Sequence, residues 1–250
     1  MLLPMPALIG HRGLPSEAPE NTRASLEAAA NNNIRWVEID VTMAGDGSLV
    51  IMHDSTLQLF GLPDITLASI DKSYLQTIDA GSWFNDDFKD EPLLFLNQLL
   101  ELVQQFDLGL NLEIKINPDI DTASQADAVC DVLSTYNIAH DNILVSSFDL
   151  QALARVRKWS SSLQIGILYE DIPQSVFDDI ESIRPVSIHC DHSRLSKETV
   201  DQLSHQTPLY CYTVNDTVTF EKLLSWGVKG VFCDRAHAPD MHALVHRFNI

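Results

Sequence analysis

The chain has 250 residues, of which 45% are hydrophobic and 20% are charged. This length and composition are typical of one large globular domain and exclude disordered, collagen-like and low-complexity chains. Because the 35 acidic residues outnumber the 16 lysines and arginines, the formal net charge is -19, which opposes binding to nucleic acid or to an anionic membrane surface.

The first residues lack the features of a secretory signal. Residues 1–6 contain no basic region and no long apolar stretch, and no segment of the chain approaches 18 consecutive apolar residues. We therefore expect a cytoplasmic protein without a membrane span. The cysteines Cys130, Cys190, Cys211 and Cys233 show no disulfide or metal-site spacing, so we expect free thiols packed in the core.

Short apolar segments alternate along the chain with segments of helical period, a pattern typical of βα units around a parallel sheet. Strands are predicted at residues 7–10, 35–41, 48–53, 108–115, 142–147, 163–168, 186–190, 209–214 and 229–233. Helices are predicted at residues 22–32, 96–106, 122–136, 149–160, 174–183, 196–205 and 216–226.

The second and third predicted strands are joined by residues 42–47, which are too few for a parallel crossover and contain an Asp-Gly step typical of a hairpin. A turn centred there pairs positions whose numbers sum to about 92. Met52 then lies opposite Asp40, and His53 or Asp54 lies opposite Glu38. The other eight strands predict an α/β fold, a (β/α)8 TIM barrel with a small insertion after strand 2.

The insertion is predicted at about residues 54–92, where the periodicity weakens and turn residues cluster. A structureless loop of this length is uncommon in a compact domain, so we expect short elements in it. We expect this segment to cap one mouth of the barrel. Since no repeat or linker interrupts the rest, residues 1–250 are predicted to form a single domain.

The carboxyl ends of the strands in such a barrel meet at one mouth, where catalytic residues collect. Glu38 and Asp40 are two positions apart and therefore share a face of their strand, as do Glu113 and Lys115. The candidate residues at the strand ends are His11, Arg12, Glu38, Asp40, His53, Glu113, Lys115, Phe148 and His189.

Two interpretations of these charges stay open on spacing alone. Glu38, Asp40 and Glu113 offer only hard oxygen ligands, which favour Mg²⁺ or Ca²⁺. The same carboxylates could instead form an ion-pair network with Arg12 and Lys115 that merely holds the barrel mouth.

The two histidines at strand ends, His11 and His53, are candidates for an acid and base pair near neutral pH. A purely structural role for each is the alternative. His189 could line the substrate pocket or make a structural hydrogen bond. A wall of the pocket could come from Phe148 or Trp83, although single aromatic side chains often serve ordinary packing.

Seven short motifs occur in one order, and together they resemble the glycerophosphodiester phosphodiesterase family, most closely its small cytoplasmic bacterial members. The similarity extends from about residue 7 to about residue 235. The motifs are His11-Arg12-Gly13, Pro19-Glu20-Asn21-Thr22, Glu38-x-Asp40 with Asp46-Gly47, His53-Asp54, Asp79-Ala80-Gly81-Ser82-Trp83, Asn111-Leu112-Glu113-Ile114-Lys115 and Tyr212-Thr213-Val214-Asn215.

The resemblance implies hydrolysis of glycerophosphodiesters to sn-glycerol 3-phosphate and an alcohol, through two histidines and a cyclic 1,2-phosphate intermediate. It implies that the positions of His11 and His53 are the acid and base, without saying which is which. It also implies that a divalent cation, Mg²⁺ or Ca²⁺, binds at three positions and that phosphate binds at two more. The cation positions are Glu38, Asp40 and Glu113, and the phosphate positions are Arg12 and Lys115.

One departure from the family pattern lies at residues 233–239, where members commonly have Thr-Asp followed soon by proline and this chain begins with Cys233-Asp234. This departure affects the expected rim of the site. Two other activities also fit the residues: a lysophospholipase D or cyclising phosphodiesterase built on the same barrel, and a non-catalytic module that binds phosphodiesters. The expected partner in each case is a small phosphodiester.

Overall fold

A barrel of parallel strands forms the centre of the computed structural model, which describes residues 5–136 and 142–249. The strands are β1 (Leu8–Gly10), β2 (Trp36–Met43), β3 (Leu49–Ile51), β4 (Thr56–Leu57), β5 (Leu62–Thr66), β6 (Gly109–Ile114), β7 (Ile143–Ser147), β8 (Gln164–Tyr169), β9 (Ser187–Asp191), β10 (Leu209–Tyr212) and β11 (Gly230–Cys233). The helices are α1 (Arg23–Asn31), α2 (Lys72–Leu75), α3 (Leu96–Gln105), α4 (Thr122–Ser134), α5 (Leu150–Trp159), α6 (Val176–Ile183), α7 (Lys197–Leu203), α8 (Thr217–Trp226) and α9 (Pro239–Phe248).

The barrel closes through eight parallel strands within the described residues. Their order around the barrel is β1, β2, β6, β7, β8, β9, β10 and β11, and β11 pairs again with β1. Closure between β1 and β2 rests on the pair Gly10 and Val37. The predicted (β/α)8 barrel with an insertion after strand 2 is confirmed.

The predicted hairpin is confirmed together with its register. β3 runs antiparallel to β2, and its paired positions are Val41 with Ile51, Thr42 with Val50 and Met43 with Leu49. Each pair of numbers sums to 92, as predicted. Beyond the ladder, the backbone N–H of Met52 donates to the carbonyl of Asp40 at 3.1 Å, which brings the chain leading to His53 next to the middle of β2.

Most helices begin at a polar side chain that accepts a hydrogen bond from the backbone of the first turn, which satisfies one of the free N–H groups there. This explains why the predicted starts at residues 22, 149, 196 and 216 each lie one residue early. These capping residues are Thr22, Asp71, Asp121, Asp149, Ser196 and Asp216.

The C-terminal helix α9 is absent from the sequence prediction. It begins with Pro239 at its first turn and buries Met241 and Leu244, while His242 and His246 interrupt the apolar pattern that would have indicated it. α9 packs against α8 and β1, so it covers the part of the barrel where the chain begins and ends.

Two apolar layers lie on opposite sides of the barrel wall. A large layer fills the space between the strands and the surrounding helices. A smaller one fills the barrel interior and includes Ile9, Trp36, Leu144, Tyr210 and Phe232. These interior residues form a solid floor beneath the mouth, so polar side chains on the strands above them are held in a defined place.

The inserted segment has a small apolar cluster of its own. Leu57, Leu67 and Leu75 from the insertion pack with Val50 and Met52 from the hairpin. The segment contains β4, β5 and α2, and short 3-10 helices at Gln58–Phe60, Leu67–Ser69 and Asp86–Phe88. None of the helices within the described ranges has both the length and the apolar character needed to cross a bilayer.

Candidate active site

A cavity of about 580 Å³ opens where the carboxyl ends of the barrel strands meet. Eight of the nine candidate residues from the sequence line it, and they come from the ends of β1, β2, β6 and β7 and from the segment after β3. They are His11, Arg12, Glu38, Asp40, His53, Glu113, Lys115 and Phe148.

Three carboxylates meet at one side of this cavity because of the pairing between β2 and β6. Asp40 and Glu113 are register partners across the two strands, and Glu38 precedes Asp40 on the same strand face. Each of the three can offer an oxygen atom so that these atoms lie within 4.8 Å of one another. All three residues are at most 5% exposed. The predicted convergence of these side chains therefore occurs.

Two cationic side chains pair with part of this charge. Lys115 Nζ lies 2.8 Å from Glu113 Oε1 and 3.8 Å from Asp40 Oδ1, and Arg12 Nε lies 3.5 Å from Asp40 Oδ2. Glu38 accepts a hydrogen bond from the backbone N–H of Arg12 at 3.0 Å, but its Oε1 has no partner among the described residues. The ion pairs considered from the sequence are present, yet they leave one negative charge unmatched.

Burial and mutual repulsion affect the three carboxyl groups differently. Burial raises the pKa of Glu38 well above its ordinary value, and the charges of Asp40 and Glu113 raise it further. Burial and Asp40 also raise the pKa of Glu113, against the effect of Lys115. Burial alone would raise the pKa of Asp40, but Lys115 and Arg12 reverse this and lower it. An added cation would stabilise the ionised forms of these carboxyl groups.

The residues fit a divalent cation on this evidence. Their donors are carboxylate oxygens, which Mg²⁺ and Ca²⁺ prefer, and no side chain or backbone group in residues 5–136 and 142–249 pairs with the buried Oε1 of Glu38.

The turn after β1 places Arg12 over the carboxylates. Arg12 adopts a left-handed conformation with φ of 50°, and Gly13 follows with φ of 93°. A Cβ atom at Gly13 would lie 2.3 Å from the Ser25 hydroxyl, so this position requires glycine. Asn21 fixes the turn further, because its backbone N–H donates to the Arg12 carbonyl and its side-chain N–H donates to Asp40 Oδ2 at 2.9 Å.

Each histidine at the cavity is held by a carboxylate at Nδ1. His11 Nδ1 lies 2.7 Å from Asp234 Oδ1, and His53 Nδ1 lies 2.6 Å from Asp54 Oδ1. Because a carboxylate accepts hydrogen bonds, these contacts favour the tautomer with the proton on Nδ1 in both rings. This leaves Nε2 of each ring available, and for His11 that atom lies 3.9 Å from Glu38.

Sequence reasoning missed the residues that position the site. Asp234 was treated only as part of a departure at the rim, although Asn215 donates to its other oxygen at 2.6 Å and so fixes its orientation. Glu20, which accepts from Arg12 at 2.7 Å, was noted only as a member of a motif, and Asp54 only as a motif member and as one of two residues that could lie opposite Glu38. The available signal was a carboxylate directly after a strand or directly beside a candidate catalytic residue.

The ninth candidate, His189, requires a correction, because it does not line the cavity. Its ring is fully buried inside the barrel, packs against Phe232 with ring centroids 4.8 Å apart, and has Nε2 2.9 Å from the Ser187 hydroxyl. A Cβ atom at Gly166 would come within 2.7 Å of this ring, so the neighbouring strand makes room for it. We therefore leave His189 out of the substrate site.

Asp191 lies two residues further along β9 and lines the cavity where His189 was expected to do so.

Phe148 is 41% exposed at the cavity and meets Tyr212 edge to face with centroids 5.9 Å apart. A second cavity of about 690 Å³ shares His53, Lys115 and Phe148 with the first and extends along the start of the insertion.

The comparisons with known proteins identify the family. The model of the glycerophosphoryl diester phosphodiesterase family matches residues 11–238. The chain belongs to this family. The resemblance noted from the sequence and the predicted enzyme class, a glycerophosphodiester phosphodiesterase, are thereby confirmed.

Individual members of the glycerophosphoryl diester phosphodiesterase family are similar over nearly the whole chain. A glycerophosphodiester phosphodiesterase from Bacillus subtilis is 29% identical over 244 residues, which cover 90% of this chain and 82% of that protein. A glycerophosphodiester phosphodiesterase from Caldanaerobacter subterraneus is 28% identical over 237 residues, which cover 91% of this chain and 93% of that protein. A phosphodiesterase from Oleispira antarctica, solved with its product sn-glycerol-3-phosphate, has a TM-score of 0.90 at 29% identity and covers 97% of each chain.

The buried ring of His189 predicts how stability depends on pH. Burial lowers the pKa of His189 to about 3, whereas the pKa of a histidine in an unfolded chain is about 6.5. Between these values the unfolded chain binds a proton that the folded chain does not, so stability falls as the pH falls. From pH 7 to pH 5 the loss from this residue is about 2 kcal/mol. Urea denaturation should show a shallower acid loss for His189→Leu than for the unmodified protein.

A matched control is His205→Leu, since His205 is exposed at the end of α7. This control should follow the pH dependence of the unmodified protein. Parallel curves for His189→Leu and the unmodified protein would show that His189 is not the group responsible.

Proposed function

We propose that this protein hydrolyses small glycerophosphodiesters to sn-glycerol 3-phosphate and an alcohol. The observation that carries the proposal is one cavity that combines two histidines, three buried carboxylates and two cationic side chains. The similarity to the Oleispira antarctica phosphodiesterase, which was solved with sn-glycerol-3-phosphate, supports the same substrate class.

The proposed cation ligands are Glu38, Asp40 and Glu113. When bound there, Mg²⁺ or Ca²⁺ supplies positive charge that stabilises the charge developing on the phosphate oxygens. Arg12 and Lys115 line the same cavity and are proposed to bind non-bridging phosphate oxygens, with the Arg12 guanidinium held in place by Glu20.

The proposed proton transfers use His11 and His53. One ring removes a proton from the attacking hydroxyl through Nε2, and the other gives a proton to the departing alkoxide. Asp234 and Asp54 are proposed to keep Nδ1 protonated, so that Nε2 is the atom that exchanges the proton. Phe148 is proposed to form an apolar wall for the substrate.

The proposed nucleophile is the 2-hydroxyl of the glycerol group. Its attack on phosphorus breaks the bond to the alcohol and forms a cyclic 1,2-phosphate, which water then opens. An intramolecular hydroxyl avoids much of the entropic cost of bringing two molecules together. Stopping at the cyclic product, or accepting a lysophospholipid, would instead identify the related activities considered from the sequence.

We also propose that residues 1–250 act as a single domain in which residues 54–92 border the substrate entrance. The proposal is supported by residues 53–56 and Gln58, which line the second cavity, and by the apolar cluster shared between the insertion and the hairpin. A cytoplasmic location stays a prediction.

Release of glycerol 3-phosphate from glycerophosphocholine and glycerophosphoethanolamine tests the function directly. Because the carboxylates need a cation, we expect EDTA to abolish turnover and Mg²⁺ or Ca²⁺ to restore it. A coupled enzymatic assay for glycerol 3-phosphate provides the measurement. Binding of the diester without turnover in either ion would favour the non-catalytic module, and full turnover after EDTA would reject the cation site.

Replacement of the histidines tests the proton transfers. We expect His11→Ala and His53→Ala each to lower kcat by about 10²- to 10⁴-fold, because general acid and base catalysis contributes on that scale. If the rings act as one unit, the double variant should be much less impaired than the product of the two losses. His205→Ala serves as a control. Multiplicative losses would mean that the two rings act independently.

A 2-deoxy glycerol analogue of the substrate tests the nucleophile. It should still bind through its phosphate, yet react far more slowly in single-turnover experiments. A well-aligned intramolecular hydroxyl lowers the barrier by roughly 7 to 11 kcal/mol, whereas losing one ordinary hydrogen bond costs only about 1 kcal/mol. Comparable rates for the two substrates would reject the cyclic route and indicate direct attack by water.

A further inference from the structure

Asn111 stands out among the residues that line the cavity. It lies on β6, its side chain is fully buried, and it lines the cavity level with Glu38 and two positions before Glu113. Neither its amide nitrogen nor its amide oxygen has a hydrogen-bond partner among the described residues. A buried carboxamide without partners costs free energy that a leucine of similar size would not, so its presence needs a reason outside the fold.

The other two fully described buried asparagines show what the fold ordinarily requires. The Asn117 side chain donates to the carbonyl of Met43 at 3.1 Å and accepts from the backbone of Asp119. The Asn21 side chain exchanges hydrogen bonds with Asp40 in both directions. Since both of these carboxamides are fully used by the protein, Asn111 differs from them in kind.

The neighbours of Asn111 are apolar in the barrel interior and acidic at the cavity. It is the register partner of Glu38 on β2 and of Leu144 on β7, and it lies two positions before Glu113 on the same face of β6. The apolar residues Leu144 and Phe232 lie in the barrel interior and offer it no polar atom. Glu38 Oε1 likewise has no partner within the described part of the chain. The polar side chains that the sheet register brings next to the amide are therefore Glu38 and Glu113, two of the three carboxylates.

We propose that Asn111 is a fourth member of the cation site and directs its amide oxygen to the divalent cation. This inference rests on the cation site in the proposed function. An amide oxygen is a hard ligand of the kind that Ca²⁺ and Mg²⁺ take, and it adds a donor without adding another negative charge to a cluster that already repels itself. The free energy lost by leaving the amide unpaired is recovered when the cation binds.

The test is calorimetric titration of Mg²⁺ and of Ca²⁺ into EDTA-stripped protein, with no substrate present. Asn111→Leu should lower cation affinity by at least about tenfold, the loss typical of removing a group that supports a bound metal. Asn111→Asp keeps the oxygen and adds charge, so its affinity should equal or exceed that of the unmodified protein. An equal loss in both variants would overturn the proposal, because it would assign the role to the amide N–H.

Stability of the cation-free protein separates this role from a structural one. Asn111→Leu should unfold in urea at the same or a higher concentration than the unmodified protein, since it removes an unpaired buried group. Asn117→Leu is the matched control and should be destabilised, because it breaks hydrogen bonds that exist. Destabilisation of Asn111→Leu to the same extent as Asn117→Leu would overturn the proposal.

The unmodified protein distinguishes failure of this inference from failure of the proposed function. If it binds neither cation, the cation site itself is rejected and Asn111 with it. If it binds a cation and Asn111→Leu binds equally well, only the role of Asn111 is rejected. Should Asn111→Leu fail to fold, a decrease in the cation affinity of Asn111→Asp overturns the proposal and a retained or raised affinity supports it.

Discussion

Repulsion among three buried carboxylates is the constraint around which this barrel mouth is organised. At separations below 5 Å and away from water, like charges repel strongly, so their convergence requires positive charge close by. Arg12 and Lys115 provide it within the protein. Burial, followed by the remaining repulsion, still raises the pKa of Glu38 and Glu113, so Arg12 and Lys115 do not offset the two effects together.

Placing Arg12 over the carboxylates imposes an unusual backbone on the chain after β1. The left-handed conformation of Arg12 turns its N–H towards Glu38 and its side chain towards Asp40. Such a conformation is unfavourable for a side chain other than glycine, and it persists because neighbours over-determine it. Asn21 stabilises this conformation, because its backbone N–H donates to the Arg12 carbonyl and its side chain donates to the Asp40 carboxylate. Asn21 therefore helps to hold the positive charge of Arg12 beside the negative charge of Asp40.

The parts of this arrangement that depend on local spacing could be predicted from the sequence. Alternation along a strand placed Glu38 and Asp40 on one face, and the short Asp-Gly turn set the hairpin register that brings His53 beside them. The depth of a residue inside the barrel could not be read in this way. It depends on how strands are staggered around the closed sheet, and this stagger puts Asp191 at the cavity and His189 in the interior.

Contacts between distant parts of the chain were likewise beyond sequence reasoning. Asp234 reaches His11 across 223 positions only because β11 closes the barrel against β1. No pattern within either segment indicates that pairing. Helix α9 escaped prediction for a related reason: its apolar face is short and becomes meaningful only against α8 and β1.

The charge of the whole chain has little influence on an anionic substrate compared with the charge of the cavity. Screening at physiological salt limits exposed charges to about 8 Å, so most of the net -19 is not felt at the site. On one side, the three carboxylates exceed Arg12 and Lys115 by one negative charge. On the other, Glu170 and Asp191 exceed Arg194 by one. A divalent cation among the three carboxylates reverses the sign of the first side only. If the proposed cation binds there, the histidine side of the cavity becomes the side that favours phosphate and the opposite rim stays negative, so the proposed cation would both admit the substrate and orient it.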